Sequence, residues 1–300
     1  MYRIPIFLSS DNNYAPFVAT TIASICDNTK SFCDFYILDG GIEEENKEKI
    51  CQLKTLFNNF SIEFIQIDLE KEFKGFKDNM HFTKSMYSRF LIPILKPEIK
   101  KALYSDVDII ALGDIKEMYL ENLEGYAIGA VWEAHNEKSV NAKKRKLYEL
   151  SSLHRFFSSG NIIIDCNKWR ENNILESLLF LEQKYRNILQ MPDQYLLNIY
   201  FDNNYKQIDN TYCYLTHNAL SYNNVPKEKI IIRHYEGLVK PWNVAEDSDI
   251  MLPNLKEWWY YAKKTSFITD FIINTKGEKM QSQMKRFFCI QKLLSTGVRR

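Results

Sequence analysis

Over roughly its first 110 residues the chain alternates apolar, β-branched runs with amphipathic stretches, and this alternation limits the folds open to it. Ile4–Ser9, Asp34–Leu38, Ile62–Ile67 and Lys101–Ile110 read as strands. Between them, Tyr14–Cys26 carries Phe17, Thr21 and Ile25 beside Val18 and Ile22 at helical spacing, and Glu43–Phe57 opens with the acidic turn that a helix dipole favours. Phe82–Ile94 predicts a helix that stops near Pro93. Strands separated by helices predict an α/β protein with a mostly parallel sheet covered on both faces. Ligands of such sheets bind beyond the carboxyl ends of strands, where Ser9–Asn13 and Asp106–Asp108 fall. The second half is less regular. Tyr126–Trp132, Asn161–Asp165 and Ile230–Tyr235 read as strands, and Ile174–Ile188 and Gln194–Phe201 as helices.

Asp106 and Asp108 stand two apart inside the apolar run Tyr104–Ile110. In a strand, residues i and i+2 share a face, so both carboxylates would project together where unpaired charge is costly. A hard divalent cation would compensate them. A strand that ends early, with both carboxylates in water, is the competing reading. A net charge of +1 gives no global field for nucleic acid. The cysteines, Cys26, Cys33, Cys51, Cys166, Cys213 and Cys289, form neither C-x-x-C pairs nor a disulfide framework, and read as buried thiols of a reducing compartment. The chain opens on a strand-like run with no signal-peptide pattern and has no apolar stretch near ~20 residues, so the expected location is cytoplasmic. Lys276–Arg300 holds seven Lys or Arg against Glu278, with Met280, Met284, Phe287, Phe288 and Leu294 on one helical face. That pattern suits a helix lying on an anionic membrane surface, and equally a C-terminal helix docked on the body.

Polar segments punctuate the strands and helices in a distinctive order. They are Asp11-Asn12-Asn13-Tyr14-Ala15, Leu38-Asp39-Gly40-Gly41-Ile42-Glu43-Glu44-Glu45-Asn46, Tyr87-Ser88-Arg89 and Leu103-Tyr104-Ser105-Asp106-Val107-Asp108, then Phe157-Ser158-Ser159-Gly160-Asn161, Asn167-Lys168-Trp169-Arg170, Asp193-Gln194 and His234-Tyr235-Glu236-Gly237-Leu238-Val239-Lys240-Pro241-Trp242. Across residues 3 to 245 this series resembles glycosyltransferase family 8, most of all its bacterial lipooligosaccharide α-galactosyltransferase branch.

The resemblance implies a GT-A, Rossmann-like fold for a nucleotide sugar, with a mixed, mostly parallel sheet flanked by helices. It implies a catalytic domain over residues 1–250, leaving a basic amphipathic helical tail over 251–300. The activity implied is metal-dependent transfer of a hexose from UDP-galactose or UDP-glucose, with retention at the anomeric carbon. The acceptor implied is an oligosaccharide or lipid-linked glycan such as lipopolysaccharide, reached through the tail at the cytoplasmic face of the inner membrane.

Carried over residue by residue, Asp106, Asp108 and His234 would hold the metal. Two carboxylates with one imidazole suit Mn²⁺ better than Mg²⁺. Lys240 and the backbone N–H of Gly237 would stabilise the diphosphate. Asp11, Asn13 and Tyr14, with Ser9 before them, would form the uridine loop. Arg89 and Asp193 would grip the donor sugar. Gln194 would sit beside the anomeric carbon, positioning and polarising in a front-face reaction, because an amide is a poor nucleophile. Ser158 stands where the family has an Asn that touches the donor sugar, and Tyr195 where it has an Asp, so both are expected near the sugar pocket. Glu133 aligns with an acidic residue that meets the acceptor. Transfer from UDP-glucose to a protein or small acceptor is a second reading, and a nucleotide-sugar-binding protein without transfer activity a third. A dehydrogenase is disfavoured, since no G-x-G-x-x-G follows the first strand.

Overall fold

The computed structural model describes residues 2–76, 84–133, 140, 142–189, 192–216, 225–237, 239–248 and 252–269. The basic segment Lys276–Arg300 lies outside the described residues. Among those described, no helix is long and apolar enough to cross a membrane.

The strands are β1 (Arg3–Ser10), β2 (Phe32–Asp39), β3 (Phe60–Gln66), β4 (Lys101–Ser105), β5 (Ile109–Ala111), β6 (Ile128–Trp132), β7 (Phe157–Asp165), β8 (Lys206–Ile208), β9 (Tyr214–Leu215) and β10 (Ile232–His234). Seven form one sheet in the order β3-β2-β1-β4-β7-β6-β8, and the other three form a small sheet in the order β5-β10-β9. The β1–β2, β2–β3, β1–β4 and β6–β8 pairs are parallel, while β7 runs antiparallel to both β4 and β6. The expected mixed, mostly parallel sheet is therefore present.

Both faces of the sheet are buried, and alternate side chains serve separate cores, as the two-residue period of a strand requires. From β1, Ile4, Ile6 and Leu8 enter one core and Phe7 the other. From β7, Ile163 enters the first, and Ile162 and Ile164 the second. The first core contains the inner face of the helix Ala15–Asn28, which starts with Pro16 in its first turn, where a missing N–H costs nothing. It also takes Leu255, Trp258 and Trp259 from the helix Leu255–Ala262. Residues beyond 251 thus pack into the same core as the N-terminal helix.

Two elements differ from expectation. Phe82–Ile94 was expected to be one helix. From Lys84 to Leu91 it is a 3₁₀ segment, and an α-helical turn then runs from Ile92 to Leu95 with Pro93 at its start. Proline fits a first turn but not a helix interior. The second difference matters more. Lys101–Ile110 was expected to be one strand, yet β4 stops at Ser105, and β5 resumes at Ile109 in the other sheet. The acidic pair occupies the break, where a continuous strand would have driven both carboxylates into apolar cores.

Backbone groups at the break find partners elsewhere. The Asp106 N–H donates to Gly160 O at 2.7 Å, and the Tyr235 N–H donates to Asp108 O at 2.9 Å. The Thr21 hydroxyl is shared between Val107 O at 3.1 Å and Ile109 O at 3.2 Å, and Ser24 Oγ accepts the Ala111 N–H at 2.9 Å. Thr21 and Ser24, which periodicity assigns only to a helix face, are thus the polar latch that holds the break. Thr21→Val keeps shape but removes the donor from two buried carbonyls. It should lower unfolding free energy by about 1–3 kcal/mol, measured by urea denaturation.

Candidate active site

Three elements converge at the break. β4 delivers Asp106 and Asp108 just past its end. β10 ends on His234, whose register partner is Ile109. The turn after β10 returns Lys240. One ligating atom from each of Asp106, Asp108 and His234 lies within 4.8 Å of the others. His234 Nε2 is 3.0 Å from Asp108 Oδ1 and 3.7 Å from Asp106 Oδ2. Lys240 Nζ donates to Asp108 Oδ2 at 2.5 Å and to Tyr235 O at 2.6 Å.

Arg89 fixes the other carboxylate. Its guanidinium donates to Asp106 Oδ1 at 2.9 Å, lies 3.1 Å from Asp193 Oδ2 and donates to Ser159 O at 3.0 Å. The same cation sits 4.3 Å from the centre of the Tyr104 ring, while the Tyr104 hydroxyl donates to Asp106 Oδ1 at 2.8 Å. Asp193, from the helix Pro192–Phe201, is thereby tied to the acidic pair through one arginine.

These charges perturb one another unequally. Burial pushes the Asp106 carboxyl up, and Arg89 opposes it. Burial would raise Asp108 as well, but Lys240 and His234 outweigh it and hold that carboxyl well below the ordinary range. Burial disfavours the His234 cation, yet contact with Asp108 holds its pKa well above the usual histidine value.

The donor set fits a divalent metal, with hard carboxylate oxygens and one imidazole nitrogen on a common side. Gly160 leaves room for this geometry. A Cβ there would lie 2.3 Å from His234 Cε1 and 2.8 Å from Asp106 Oδ2. Gly160 belongs to the motif Phe157–Asn161 but had no assigned role, although a glycine inside a strand signals close approach.

Across from the triad, Gln194 is held at both ends of its amide. Its Oε1 accepts the Ser159 N–H at 3.1 Å, and its Nε2 donates to Glu133 Oε2 at 3.1 Å. Glu133 is 5% exposed, so Gln194 is tied to a buried acidic group. The next residue turns away, as adjacent helix positions do. Tyr195 is buried among Tyr148, Phe156 and Tyr185, and Lys144 donates to its hydroxyl at 3.2 Å. The expectation that Tyr195 lies at the sugar pocket is corrected accordingly.

The loop after β1 is held by its own polar groups. Asp11 Oδ1 accepts the N–H groups of Asn13 at 2.9 Å and Tyr14 at 3.1 Å, capping a 3₁₀ turn. Ser9 Oγ donates to Ser85 O at 2.7 Å. Asn13 is exposed. The Tyr14 ring is 43% exposed and stands edge-on to Phe17 and Trp242, which stack at 3.7 Å. Gly237, in the return toward Lys240, has φ +87°, a conformation that suits glycine. Ser158 is 2% exposed, and its hydroxyl faces Cys213 Sγ at 3.8 Å.

Gly160→Ala tests the crowding directly. The added methyl should displace His234 and weaken divalent-cation affinity at least about tenfold, read by electron paramagnetic resonance with Mn²⁺ as probe, with little change in circular dichroism.

Comparison with known proteins agrees with this geometry. Residues 5–246 match the sequence profile of glycosyl transferase family 8. Glycosyltransferase GlyF of Streptococcus pneumoniae is 32% identical over 86% of this chain, which spans 61% of that protein's length. The lipopolysaccharide 1,2-glucosyltransferase of Escherichia coli is 27% identical over 78% of this chain and 71% of its own. The solved structure of galactosyltransferase LgtC with donor and acceptor sugar analogues superposes with a TM-score of 0.76 and 22% identity, covering 88% of this chain and 96% of that one. The last likeness establishes the α/β GT-A architecture. The match over most of the chain means that this protein belongs to glycosyltransferase family 8.

Proposed function

We propose that this chain is a retaining, metal-dependent glycosyltransferase that moves a hexose from UDP-galactose or UDP-glucose to a glycan acceptor. One observation carries the proposal: a three-ligand cation site and a fixed amide, Gln194, are joined through Arg89, which touches both Asp106 and Asp193. A diphosphate end and a sugar end are thus part of one rigid unit.

Asp106, Asp108 and His234 would hold the metal, with Mn²⁺ favoured by the nitrogen ligand. Such an ion neutralises charge developing on a departing nucleoside diphosphate. Lys240 reaches the same edge of Asp108 and can donate to phosphate oxygens, and the Gly237 N–H is a further donor there. The loop Ser9–Tyr14 suits the uridine, with the half-exposed Tyr14 ring as a stacking surface. Arg89 and Asp193 would bind hydroxyls of the donor sugar.

We carry retention over from the family, and the groups around Gln194 bear on its route. Gln194 is an amide, and the next position is a tyrosine buried in another cluster. A carboxylate nucleophile from either position is therefore missing. The acceptor hydroxyl then attacks on the face that the diphosphate leaves, and the leaving phosphate oxygen takes its proton. Gln194 is anchored by Ser159 and Glu133, and its amide would polarise the reaction at the anomeric carbon. Glu133 lines the acceptor side. The relatives' names divide between glucose and galactose, and one acts on lipopolysaccharide, which supports a hexose donor and a glycan acceptor of that class.

A donor screen tests this reading. UDP release should occur from UDP-galactose or UDP-glucose, with Mn²⁺ and an oligosaccharide acceptor such as lactose or truncated lipooligosaccharide, and the product should keep the α configuration by NMR. Asp106→Asn and Asp108→Asn should each reduce kcat/KM about 10³-fold or more with an intact fold. Gln194→Ala should lower kcat about 10²-fold with little change in donor binding. Undiminished turnover in either aspartate variant would refute the metal assignment.

A further inference from the structure

We infer that Cys213 is a positioning residue for His234: its thiol accepts the Nδ1–H of the imidazole and leaves the Nε2 lone pair for the cation. The inference rests on the metal reading of Asp106, Asp108 and His234. Cys213 is fully buried and closes the 3₁₀ turn Asn210–Cys213. The next residue begins β9, which pairs with β10 in the register Arg233↔Tyr214 and His234↔Leu215. That register carries the thiol behind the imidazole. Cys213 Sγ lies 3.6 Å from His234 Nδ1, within reach of a hydrogen bond to sulfur, while Nε2 points the other way at the two carboxylates.

The neighbours of the sulfur supply a partner for each hydrogen bond of this arrangement. Asn161 Oδ1 accepts from Ser105 Oγ at 2.6 Å, and the Asn161 amide nitrogen donates to Cys213 Sγ at 3.4 Å. Ser158 Oγ, 3.8 Å from the sulfur, can take the hydrogen of the thiol. With the thiol hydrogen on Ser158, the sulfur has acceptor capacity for both Asn161 and His234 Nδ1–H. Histidines that bind metals are commonly oriented by a carboxylate or carbonyl on the far nitrogen. A carboxylate here would add another buried charge beside Asp106, Asp108 and Asp193, whereas a thiol orients the ring without one. Ser158 gains a role by the same geometry. Its short hydroxyl can complete the bonding of the thiol.

The test compares Mn²⁺ affinity, by electron paramagnetic resonance of free Mn²⁺, for the full chain and its Cys213→Ala and Cys213→Ser variants, with Asp108→Asn as control. Cys213→Ala should weaken binding about tenfold. Cys213→Ser, whose hydroxyl can still accept, should recover to within about threefold of wild type. Wild-type affinity in Cys213→Ala, or equal loss in both variants, overturns the inference while the metal reading stands. Absence of Mn²⁺ binding by the wild-type chain overturns both. A measurement that needs no variant is long-range ¹H–¹⁵N NMR of the wild-type chain loaded with diamagnetic Zn²⁺. The His234 ring proton should be on Nδ1, and a proton on Nε2 overturns the inference.

Discussion

Asp106 and Asp108 bring two carboxylates to the seam between the two cores, and the surrounding structure is organised around satisfying them. Arg89, from a buried 3₁₀ segment, neutralises the first, while Lys240 and His234, from the far end of the chain, neutralise the second. Buried ions persist only when paired and hydrogen-bonded. These pairings therefore bind the N-terminal parallel strands to the late strand β10 and the turn that follows it. The small sheet β5-β10-β9 exists because the chain leaves the main sheet at the acidic pair.

The same charge balance relates the Asp106–Asp108–His234 cluster to Gln194. Arg89 cannot shift toward Asp193 without loosening Asp106, since it contacts both. Asp193 and Gln194 share the first turn of one helix, so the Gln194 amide is indexed to the Asp106 carboxylate. Gln194 is then fixed by Ser159 and Glu133, and Ser159 also accepts from Arg89. Positioning through a shared set of rigid contacts gives a transferase its orientation of donor and acceptor, because correct geometry at the reacting atoms supplies much of the rate.

Local pattern made much of this visible in advance. The strands β1, β2 and β3 and the helix after β1 are written in apolar periodicity, and their boundaries agree with the sequence within a few residues. The grouping of Asp106, Asp108, His234 and Lys240 was legible through ordered motifs. Other features were not. Thr21 and Ser24 look like ordinary positions on a helix face, yet they hold the strand break. Tyr195 looks like a pocket residue because it stands where the family has an Asp, yet helical geometry sends it to another cluster. Cys213 carries no spacing signal, since a thiol acquires meaning only from the imidazole and amide placed beside it.

The sequence by itself determined the alternation of strands and helices, the burial of both sheet faces and the types of group available for chemistry, because these follow from local periodicity and side-chain composition. Tertiary structure decided where the fourth strand breaks, which cation faces which carboxylate, and which side of Gln194 and Tyr195 meets the site. Those outcomes depend on charge pairing and desolvation between segments remote in the chain, and no local pattern encodes the distance between Asp108, His234 and Lys240.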